Sequence, residues 1–485
     1  MKSMELSAAS GEGKACECGS CRIRILVARG SPPPVCPFCQ ATLRESGFRR
    51  PSAGPEPESD MDRGSARTGT RRFPKWAMLT ISALSILLLA VAVIVKMQNV
   101  EYFWYQPWIN IYSLTVGFFI LSRFFLAAFY SAPPDVGYEP TVAVIVACRN
   151  EADSIEKTIH RIYAEGYPHA KLEVVVVNDG STDNTLERMQ VAQVRHPSLV
   201  VVDFAENKGK RHGMAVGALL AQSEILLYVD SDSFLLPGAI RKVVQGLADP
   251  TVAAVSGHTD VENVRVNMLT KMQDVRYFVS YRVMKAAESL FGAVSCCPGC
   301  FSAYRKVCVL NVLNQWLNQR FLGRYATFGD DRSLTNFLLR RYRVLYDDEA
   351  LATTIVPEKW LKYAKQQARW KRSWLREMLC AGRFIWRKHP VAAISWYAMV
   401  VLPLLGPIVV FSALVIGPLL YHTPPGFYIG GVLVVSLLWS LYYLERTRRP
   451  HWWAGFLFTI TYILFFSWQG YYALFTLRKT SWGTR

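Results

Sequence analysis

The chain has 485 residues, of which 51% are hydrophobic, and a formal net charge of +18. This length allows two or three domains, and the apolar content indicates that part of the chain lies in a membrane. The excess of Lys and Arg suits either nucleic acid or an anionic membrane surface. Because the basic residues cluster beside long apolar runs, we expect a lipid bilayer and no nucleic acid as the partner.

The N-terminal segment, residues 1–43, contains two Cys-x-x-Cys pairs. Cys18, Cys21, Cys36 and Cys39 have the spacing of a zinc ribbon, in which four thiolates close a structural site. Redox or free thiols are the alternative, and Cys16 is a fifth, competing thiol. The segment lacks the apolar stretch of a cleavable signal peptide. We predict a structural module, or one that docks a protein partner.

Residues 44–130 combine a polar linker with two apolar runs. Residues 44–75 are rich in Pro, Gly, Ser and Arg, which predicts a disordered linker. Within residues 76–130, the runs 76–97 and 108–130 are each long enough to cross a bilayer. Basic residues precede the first run, whereas the connection between the runs has none. This distribution places the N-terminus and the following domain in the cytoplasm.

Residues 131–378 have the pattern of a soluble α/β domain. Strand-like runs at 142–147, 172–178, 199–204 and 225–230 alternate with helical stretches, which predicts a parallel sheet covered by helices. No G-x-G-x-x-G sequence follows the first strand, so a dinucleotide-binding fold is not predicted.

Charged residues follow each predicted strand, where open α/β sheets bind ligands. Asp230 and Asp232 have the i, i+2 spacing of carboxylates that share a divalent cation, although a solvated Asp turn is the alternative. Asp179 and Asp183 occupy a turn that suits a ribose or base, or an N-cap. The basic turn at residues 207–213 suits a diphosphate, or is simply solvated.

The C-terminal part contains an interfacial segment and further apolar runs. Residues 379–390 belong to a basic and aromatic stretch typical of a membrane interface. Residues 391–485 contain apolar runs at 391–420, 427–444 and 452–477. Because the third run has basic residues at both ends, it is re-entrant or interfacial, or the first run is broken at Pro403 or Pro407.

Six motifs in chain order resemble a known family: VACRNE, VVNDGSTDNT, NKGKRHGM, YVDSDS, FGDDRSLTN and QQARW. They resemble the inverting family 2 glycosyltransferases with a GT-A domain, in particular the membrane-embedded hyaluronan synthases and chitin-oligosaccharide synthases. The resemblance starts near Tyr138 and leaves the ribbon outside. It implies an α/β GT-A domain inserted between N- and C-terminal transmembrane helices, in a multi-pass protein of the cell membrane.

The resemblance implies a role for each matching residue on the donor side. Asp232, supported by Asp230, would bind Mn²⁺ or Mg²⁺ on the diphosphate of a UDP-sugar. The remaining donor or nucleotide contacts would be Glu151, Asp179, Asp183, Lys210, Arg211, Arg369 and, in the terminal WGTR motif, Trp482 and Arg485.

On the acceptor side, the resemblance implies a general base in the GDD motif, Asp331, with Asp330 beside it. Acceptor contacts would come from Gln366, Trp370, Tyr304 and Arg305. The alternatives are an Asp-rich helix start for GDD and interfacial snorkelling for the basic and aromatic residues. The neighbouring cysteines at 296, 297 and 300 are expected to be buried thiols rather than a second metal site.

The resemblance implies that UDP-N-acetylglucosamine and UDP-glucuronate are polymerised at the cytoplasmic face and that the growing polysaccharide crosses the membrane. A polymer of N-acetylglucosamine alone, as in chitin, is the alternative product. A non-catalytic membrane assembly factor is the alternative of another class. A transporter is disfavoured because the chain has no Walker A sequence.

Overall fold

The computed structural model describes residues 13–28, 36, 39, 44–46, 107–422 and 425–479. The predicted first span, residues 76–97, lies outside these residues, as do most of the predicted linker and the terminal WGTR motif with Trp482 and Arg485. The described residues of the ribbon include its two hairpin strands and the four cysteines of its Cys-x-x-Cys motifs.

One eleven-stranded sheet forms the centre of the molecule, in the order β3-β1-β2-β6-β5-β4-β7-β10-β9-β13-β8. Strands β4, β5, β6 and β7 are parallel, as the alternating pattern predicted, whereas β10 is antiparallel to both of its neighbours. The strands are β1 Gly13–Cys18, β2 Ile23–Ala28, β3 Arg44–Ser46, β4 Val142–Cys148, β5 Leu172–Asp179, β6 Val200–Phe204, β7 Ile225–Tyr228, β8 Ser233–Leu235, β9 Val252–Val261, β10 Ser302–Arg305 and β13 Arg343–Thr354, with a separate hairpin of β11 Arg320–Phe321 and β12 Arg324–Tyr325.

Helices cover both faces of the sheet, and this is why β4 and the centre of β5 are continuously apolar and buried. The helices are α1 Pro107–Ala128, α2 Ile155–Tyr163, α3 Thr185–Arg195, α4 Lys210–Leu220, α5 Ala239–Gln245, α6 Met268–Val279, α7 Ala286–Ser289, α8 Lys306–Leu317, α9 Asp330–Leu339, α10 Trp360–Gly382, α11 Pro390–Phe411, α12 Gly417–Tyr421, α13 Gly426–Thr447, α14 Ala454–Thr461 and α15 Gln469–Phe475. The predicted fold class, a GT-A α/β domain between apolar helices, is confirmed for the described residues.

The N-terminal ribbon is part of the same sheet. Strand β2 pairs antiparallel with β6, with Ile23 opposite Phe204 and Leu26 opposite Val201. Strand β3 pairs with β1 and contains the first three residues of the range predicted as linker. The sequence pattern did not predict this pairing, because the choice of a distant partner strand has no local signal.

Three described helices are long and apolar enough to cross a membrane: Pro107–Ala128, Pro390–Tyr421 and Tyr428–Thr447. The predicted third C-terminal run forms no single long helix. Residues Ala454–Phe466 form a shorter apolar helix, and α15 packs against α10. Helix α10 starts at Trp360, so the predicted boundary between residues 378 and 379 falls inside one continuous helix.

Candidate active site

A cavity of about 1840 Å³ extends from the carboxyl edge of the sheet to the apolar helices. Its polar end is lined by the predicted residues Glu151, Lys210, Asp230, Asp232, Asp330 and Asp331. Its apolar end is lined by residues of α1, α11 and α13, including Tyr112, Leu402 and Val435. The cavity therefore joins a charged sheet edge to the segments expected to lie in lipid.

Asp179, at the end of β5, holds the basic turn in place. Its buried carboxylate accepts hydrogen bonds from the backbone N–H of Lys208 at 2.7 Å and of Gly209 at 3.0 Å. Burial raises the pKa of this carboxyl group, although both backbone donors favour the ionised form. The predicted contact of Asp179 with uridine stays a prediction, since the described role of its side chain is to position the turn.

Asp183 and Glu151 connect the loops that follow β4 and β5. The Asp183 carboxylate accepts from the backbone N–H of Thr185 at 3.1 Å, and the Glu151 N–H donates to the Thr185 hydroxyl at 2.8 Å. Asp183 thus supports its turn at the start of α3, which agrees with the predicted supporting role. Glu151 additionally lines the cavity.

Asp230 and Asp232 follow β7 and both line the cavity. The Lys210 ammonium forms an ion pair with Asp230. Gly299 lies directly above this pair, since a Cβ on it would be 2.8 Å from Asp230 Oδ1 and 3.2 Å from Lys210 Nζ. Two carboxylates that face one cavity beside a cation fit a hard divalent ion, whose remaining ligands would be substrate phosphate oxygens.

The two acids of the GDD motif have different surroundings because consecutive residues point about 100° apart on a helix. Asp331, in the first turn of α9, lines the cavity and accepts from the Cys296 thiol at 3.7 Å and from the Arg332 N–H at 2.7 Å. Asp330 is buried against Arg211, whose Nε lies 2.9 Å from its carboxylate. Asp331 is therefore the one of the two whose carboxylate suits a base.

The predicted donor contact of Arg211 stays a prediction, and its described contacts lie elsewhere. Its guanidinium is 4% exposed and bonds Asp330 and the carbonyl oxygen of Trp316, at 2.6 Å. It does not line the cavity. Its side chain points away from Lys210 because neighbouring positions of α4 face different sides of the helix.

Helix α10 forms one wall of the cavity and presents three predicted residues to it, Gln366, Arg369 and Trp370. The Gln366 Oε1 atom is buried and has no hydrogen-bond partner among the described residues, so it is available to a ligand hydroxyl. Gly329 allows α9 to approach this helix, because its φ is +76° and a Cβ on it would lie 2.0 Å from the Ser373 hydroxyl.

The predicted acceptor contacts of Tyr304 and Arg305 also stay predictions, although neither residue lines the cavity. Strand β10 is antiparallel to β7 and places Arg305 opposite Ile225, at the end of β7 remote from Asp230. Arg305 bonds the carbonyl oxygen of Asp249 at 3.2 Å, and the buried Tyr304 hydroxyl donates to the Cys297 carbonyl at 3.2 Å. The cavity is lined instead by the preceding residues Cys296, Pro298, Gly299 and Cys300.

Of the cysteines of this segment, Cys297 is buried, whereas Cys296 and Cys300 are half-buried and line the cavity. Burial raises the pKa of Cys296 and of Cys297 to about 12, which favours the protonated thiol over the metal-binding thiolate. The nearby Asp331 carboxylate raises the pKa of Cys296 further. The expectation of a buried thiol is thus met by Cys297 and not by Cys296 or Cys300.

Sequence analysis missed polar residues that complete the site from other elements. Arg276 of α6 donates to Gln367 at 2.7 Å, and both line the cavity. Gln319 donates to the buried Glu377 at 3.1 Å and accepts from Ser333 at 2.6 Å, which connects α9 to α10. Gln367 and Ser333 lie within the QQARW and FGDDRSLTN motifs, but Arg276, Gln319 and Glu377 lie in none of the six motifs, so only the fold brings these three to their partners.

The ribbon contains a second candidate site. The sulfur atoms of Cys18, Cys21, Cys36 and Cys39 all lie within 4.8 Å of one another. Tetrahedral zinc with Zn–S bonds of ~2.3 Å needs sulfur atoms about 3.8 Å apart, so the four thiols fit such an ion. A hydrogen bond from the Cys21 N–H is the main cause that lowers the pKa of Cys18 to about 7, whereas burial raises the pKa of Cys21 to about 12, so the spacing of the four sulfur atoms is what supports a metal ion.

Comparison with known proteins defines the class of this chain. Residues 140–373 match the family described as "Glycosyltransferase like family 2". The matched range contains the strand-end loops, the GDD motif and most of the α10 wall. Residues 140–373 are therefore similar to a family 2 glycosyltransferase domain, and the chain is a glycosyltransferase.

Curated relatives extend this likeness beyond the domain. The chain is 29% identical to the hyaluronan synthase of Streptococcus pyogenes over 396 residues, which cover 78% of this chain and 91% of that protein. It is 34% identical to an N-acetylglucosaminyltransferase of Mesorhizobium japonicum over 256 residues, or 52% of this chain and 60% of that protein. The chain is thus a homologue of both enzymes. The long apolar helices and the first relative indicate membrane association.

A solved structure is also similar, the mannosyltransferase of Pyrobaculum calidifontis in complex with GDP-Man and Mn²⁺. Its identity to this chain is 24% and its TM-score 0.49, with coverage of 79% of this chain and 99% of the mannosyltransferase.

Proposed function

We propose that the protein is a processive, inverting glycosyltransferase that polymerises UDP-N-acetylglucosamine and UDP-glucuronate into a hyaluronan-like polysaccharide. The cavity that joins the acidic sheet edge to the apolar helices carries this proposal. A processive enzyme needs such a path, because the growing polymer must move out of the catalytic site after each addition while it stays bound to the enzyme. The proposed location is the cell membrane, with the catalytic domain and the N-terminus in the cytoplasm.

Asp331 is the proposed general base. Its carboxylate takes the proton of the acceptor hydroxyl, whose oxygen bonds to the anomeric carbon of the donor sugar from the side opposite UDP. The bond from that carbon to the β-phosphate oxygen breaks, and its electron pair leaves with UDP. Inversion at carbon follows from this single displacement.

Asp232 and Asp230 are the proposed ligands of Mg²⁺ or Mn²⁺, together with the donor diphosphate. When bound, such an ion neutralises the negative charge that develops on the leaving group. Lys210 lies beside Asp230 and adds a fixed positive charge at the same edge of the sheet. Gln366 and Trp370 face the cavity from α10, where they are proposed to bind the acceptor terminus.

The alternative product, a polymer of N-acetylglucosamine alone, is supported by the N-acetylglucosaminyltransferase relative. Purified protein supplied with radiolabelled UDP-N-acetylglucosamine distinguishes the two products. We expect high-mass polymer, degraded by a hyaluronidase, only when UDP-glucuronate is also present. Long polymer formed from UDP-N-acetylglucosamine alone would contradict the hyaluronan assignment and support the alternative.

In the ribbon, Zn²⁺ is the proposed ion at Cys18, Cys21, Cys36 and Cys39. All four ligands are thiols, which select soft or borderline cations over Mg²⁺ or Ca²⁺. This site has no open position for a substrate, so its proposed role is structural.

A further inference from the structure

The ribbon is in direct contact with the turn that leads into Lys210, through Lys208. Its ammonium donates a hydrogen bond to the carbonyl oxygen of Cys21 at 2.7 Å, and its backbone N–H donates to Asp179 at 2.7 Å. Two residues further along, Lys210 contacts Asp230 and lines the cavity. One short turn thus connects a candidate metal ligand with two residues of the candidate donor site.

The pairing of the ribbon with the sheet fixes the position of the ribbon relative to the turn that contains Lys208. Strand β2 is paired with β6 over four residues, and β6 ends immediately before the turn that contains Lys208. The buried Gln193 side chain donates to the carbonyl oxygen of Leu26 at 2.9 Å and so fixes the other end of β2. Cys18 and Cys36 belong to the same hydrophobic cluster as Phe204 and Met214.

Metal binding would constrain the position of the Cys21 carbonyl oxygen. Cys21 and Cys18 are the two ligands of one Cys-x-x-Cys pair, and the chain between them turns tightly, with the Arg22 N–H donating to the Cys18 carbonyl at 2.9 Å. Coordination of both thiolates to one ion fixes this turn, whereas free thiols leave it held by hydrogen bonds alone.

We infer that the metal-loaded ribbon positions the donor-binding turn, and that Lys208 is the positioning residue that transmits its effect. The ligand of the ribbon is a thiophilic divalent cation, Zn²⁺, and its effect is to strengthen the binding of the nucleoside diphosphate. Lys208 itself contacts the ribbon and not the reacting atoms. The inference rests on the proposed function, because it takes a UDP-sugar as the donor.

The test compares UDP binding by the wild-type protein and by a Lys208 variant, each with and without zinc. The dissociation constant of UDP is measured calorimetrically for the wild-type protein and for Lys208→Met, each with zinc bound and after a zinc-selective chelator. Saturating Mg²⁺ is present throughout, so that the catalytic metal is not limiting. Zinc content and the unfolding temperature are measured on the same samples.

We expect zinc removal to weaken UDP binding of the wild-type protein about fivefold, a usual strength for coupling between two sites. Lys208→Met with zinc bound should show the same weakening, and zinc removal should have no further effect on it. Lys208→Arg retains a donor for the Cys21 carbonyl and should restore most of the affinity. The KM for donor should follow these changes, with kcat nearly constant.

Lys242→Met is the matched control, because Lys242 forms an ion pair with Glu349 at 2.8 Å and does not line the cavity. It should leave the UDP affinity unchanged. The inference would be overturned if zinc removal weakened UDP binding equally in the wild type and in Lys208→Met. It would also be overturned if the purified protein held no zinc, or if neither zinc removal nor Lys208→Met changed the UDP affinity. A wild-type protein that neither binds UDP nor uses UDP-sugars would contradict the proposed function as well.

Discussion

Two adjacent carboxylates, Asp330 and Asp331, illustrate how the surroundings of a residue decide its role. Both belong to the GDD motif and line the cavity, yet the Asp330 carboxylate is buried in an ion pair with Arg211 whereas Asp331 is only half-buried. The sequence motif predicts an acid at the site and cannot separate the two. Their separation depends on Arg211, which lies 119 residues earlier in the chain.

The buried pair makes a prediction about stability. Replacing Arg211 with Met leaves the Asp330 carboxylate buried without its cation, which should cost about 3–5 kcal/mol of unfolding free energy. Thermal unfolding of the detergent-solubilised protein measures this loss. Asp249→Asn is the control, because its ion pair with Arg343 is exposed and should contribute only ~0–1 kcal/mol. Equal unfolding temperatures for Arg211→Met and Asp249→Asn would contradict the buried role.

At the level of single residues, the sequence predicted those site residues that directly follow parallel strands or lie on α10. Tyr304, Arg305 and Arg211 do not line the cavity, and their predicted ligand contacts stay predictions. The direction of β10 within the sheet, which removes Tyr304 and Arg305 from the cavity, has no signature in the order of motifs. The side of α4 that carries Arg211 was equally undetermined, since Lys210 and Arg211 are both basic.

Among the elements, α6 and the loop after α13 are connected by a buried charge cluster. The carboxylate of Asp274, on α6, lies 3.0 Å from Arg449 and 2.9 Å from His451, and it accepts from the Tyr443 hydroxyl. This cluster joins the catalytic domain to an apolar helix pair. It is a fixed contact between the sheet domain and the segments expected in lipid.

Asp274→Leu should therefore destabilise the contact between the two parts. Removing the buried Asp274 carboxylate leaves the half-buried Arg449 and the buried Tyr443 hydroxyl without this partner, at an expected cost of about 3 kcal/mol. A lower unfolding temperature in detergent, with early loss of α13 and α14 protection in hydrogen exchange, is the expected result. Asp348→Leu should cost less, because the side chain of Asp348 is 25% exposed whereas that of Asp274 is 1% exposed. Unchanged protection of both helices would contradict the role of the cluster.

Element types were predictable because burial on both faces of the sheet demands continuous apolar strands, as in β4. Which strands pair with each other was not predictable from the sequence. The main example is the pairing of β2 with β6. The third C-terminal apolar run was left open from the sequence. Its division into Ala454–Phe466 and α15 favours the re-entrant or interfacial alternative, because a 13-residue helix spans only about 20 Å of a ~30 Å hydrocarbon core.

Across the whole molecule, the cavity suggests a route for the product. Gly431 of α13 lines its apolar end, and a Cβ there meets no other atom within 4 Å. Gly431→Trp should therefore fold and narrow the route, giving shorter polymer while the UDP affinity stays unchanged. Gel analysis of radiolabelled product measures the chain length.

The control for this variant is Ile394→Trp, because Ile394 lies on the outside of α11 with 70% of its surface exposed. It should leave polymer length unchanged. Full-length polymer from Gly431→Trp would show that the product does not follow this part of the cavity.

Asp331 is proposed to deprotonate the acceptor, and UDP is proposed to bind at the same site without help from the Asp331 carboxylate. The most direct measurement is the rate of UDP release during turnover by purified Asp331→Asn. The UDP affinity of this variant is measured in parallel. Asp135→Asn, at an exposed position, is the control. We expect turnover to fall by at least about 100-fold, the usual contribution of a general base, with UDP affinity and the control unchanged. Wild-type turnover by Asp331→Asn would contradict the account.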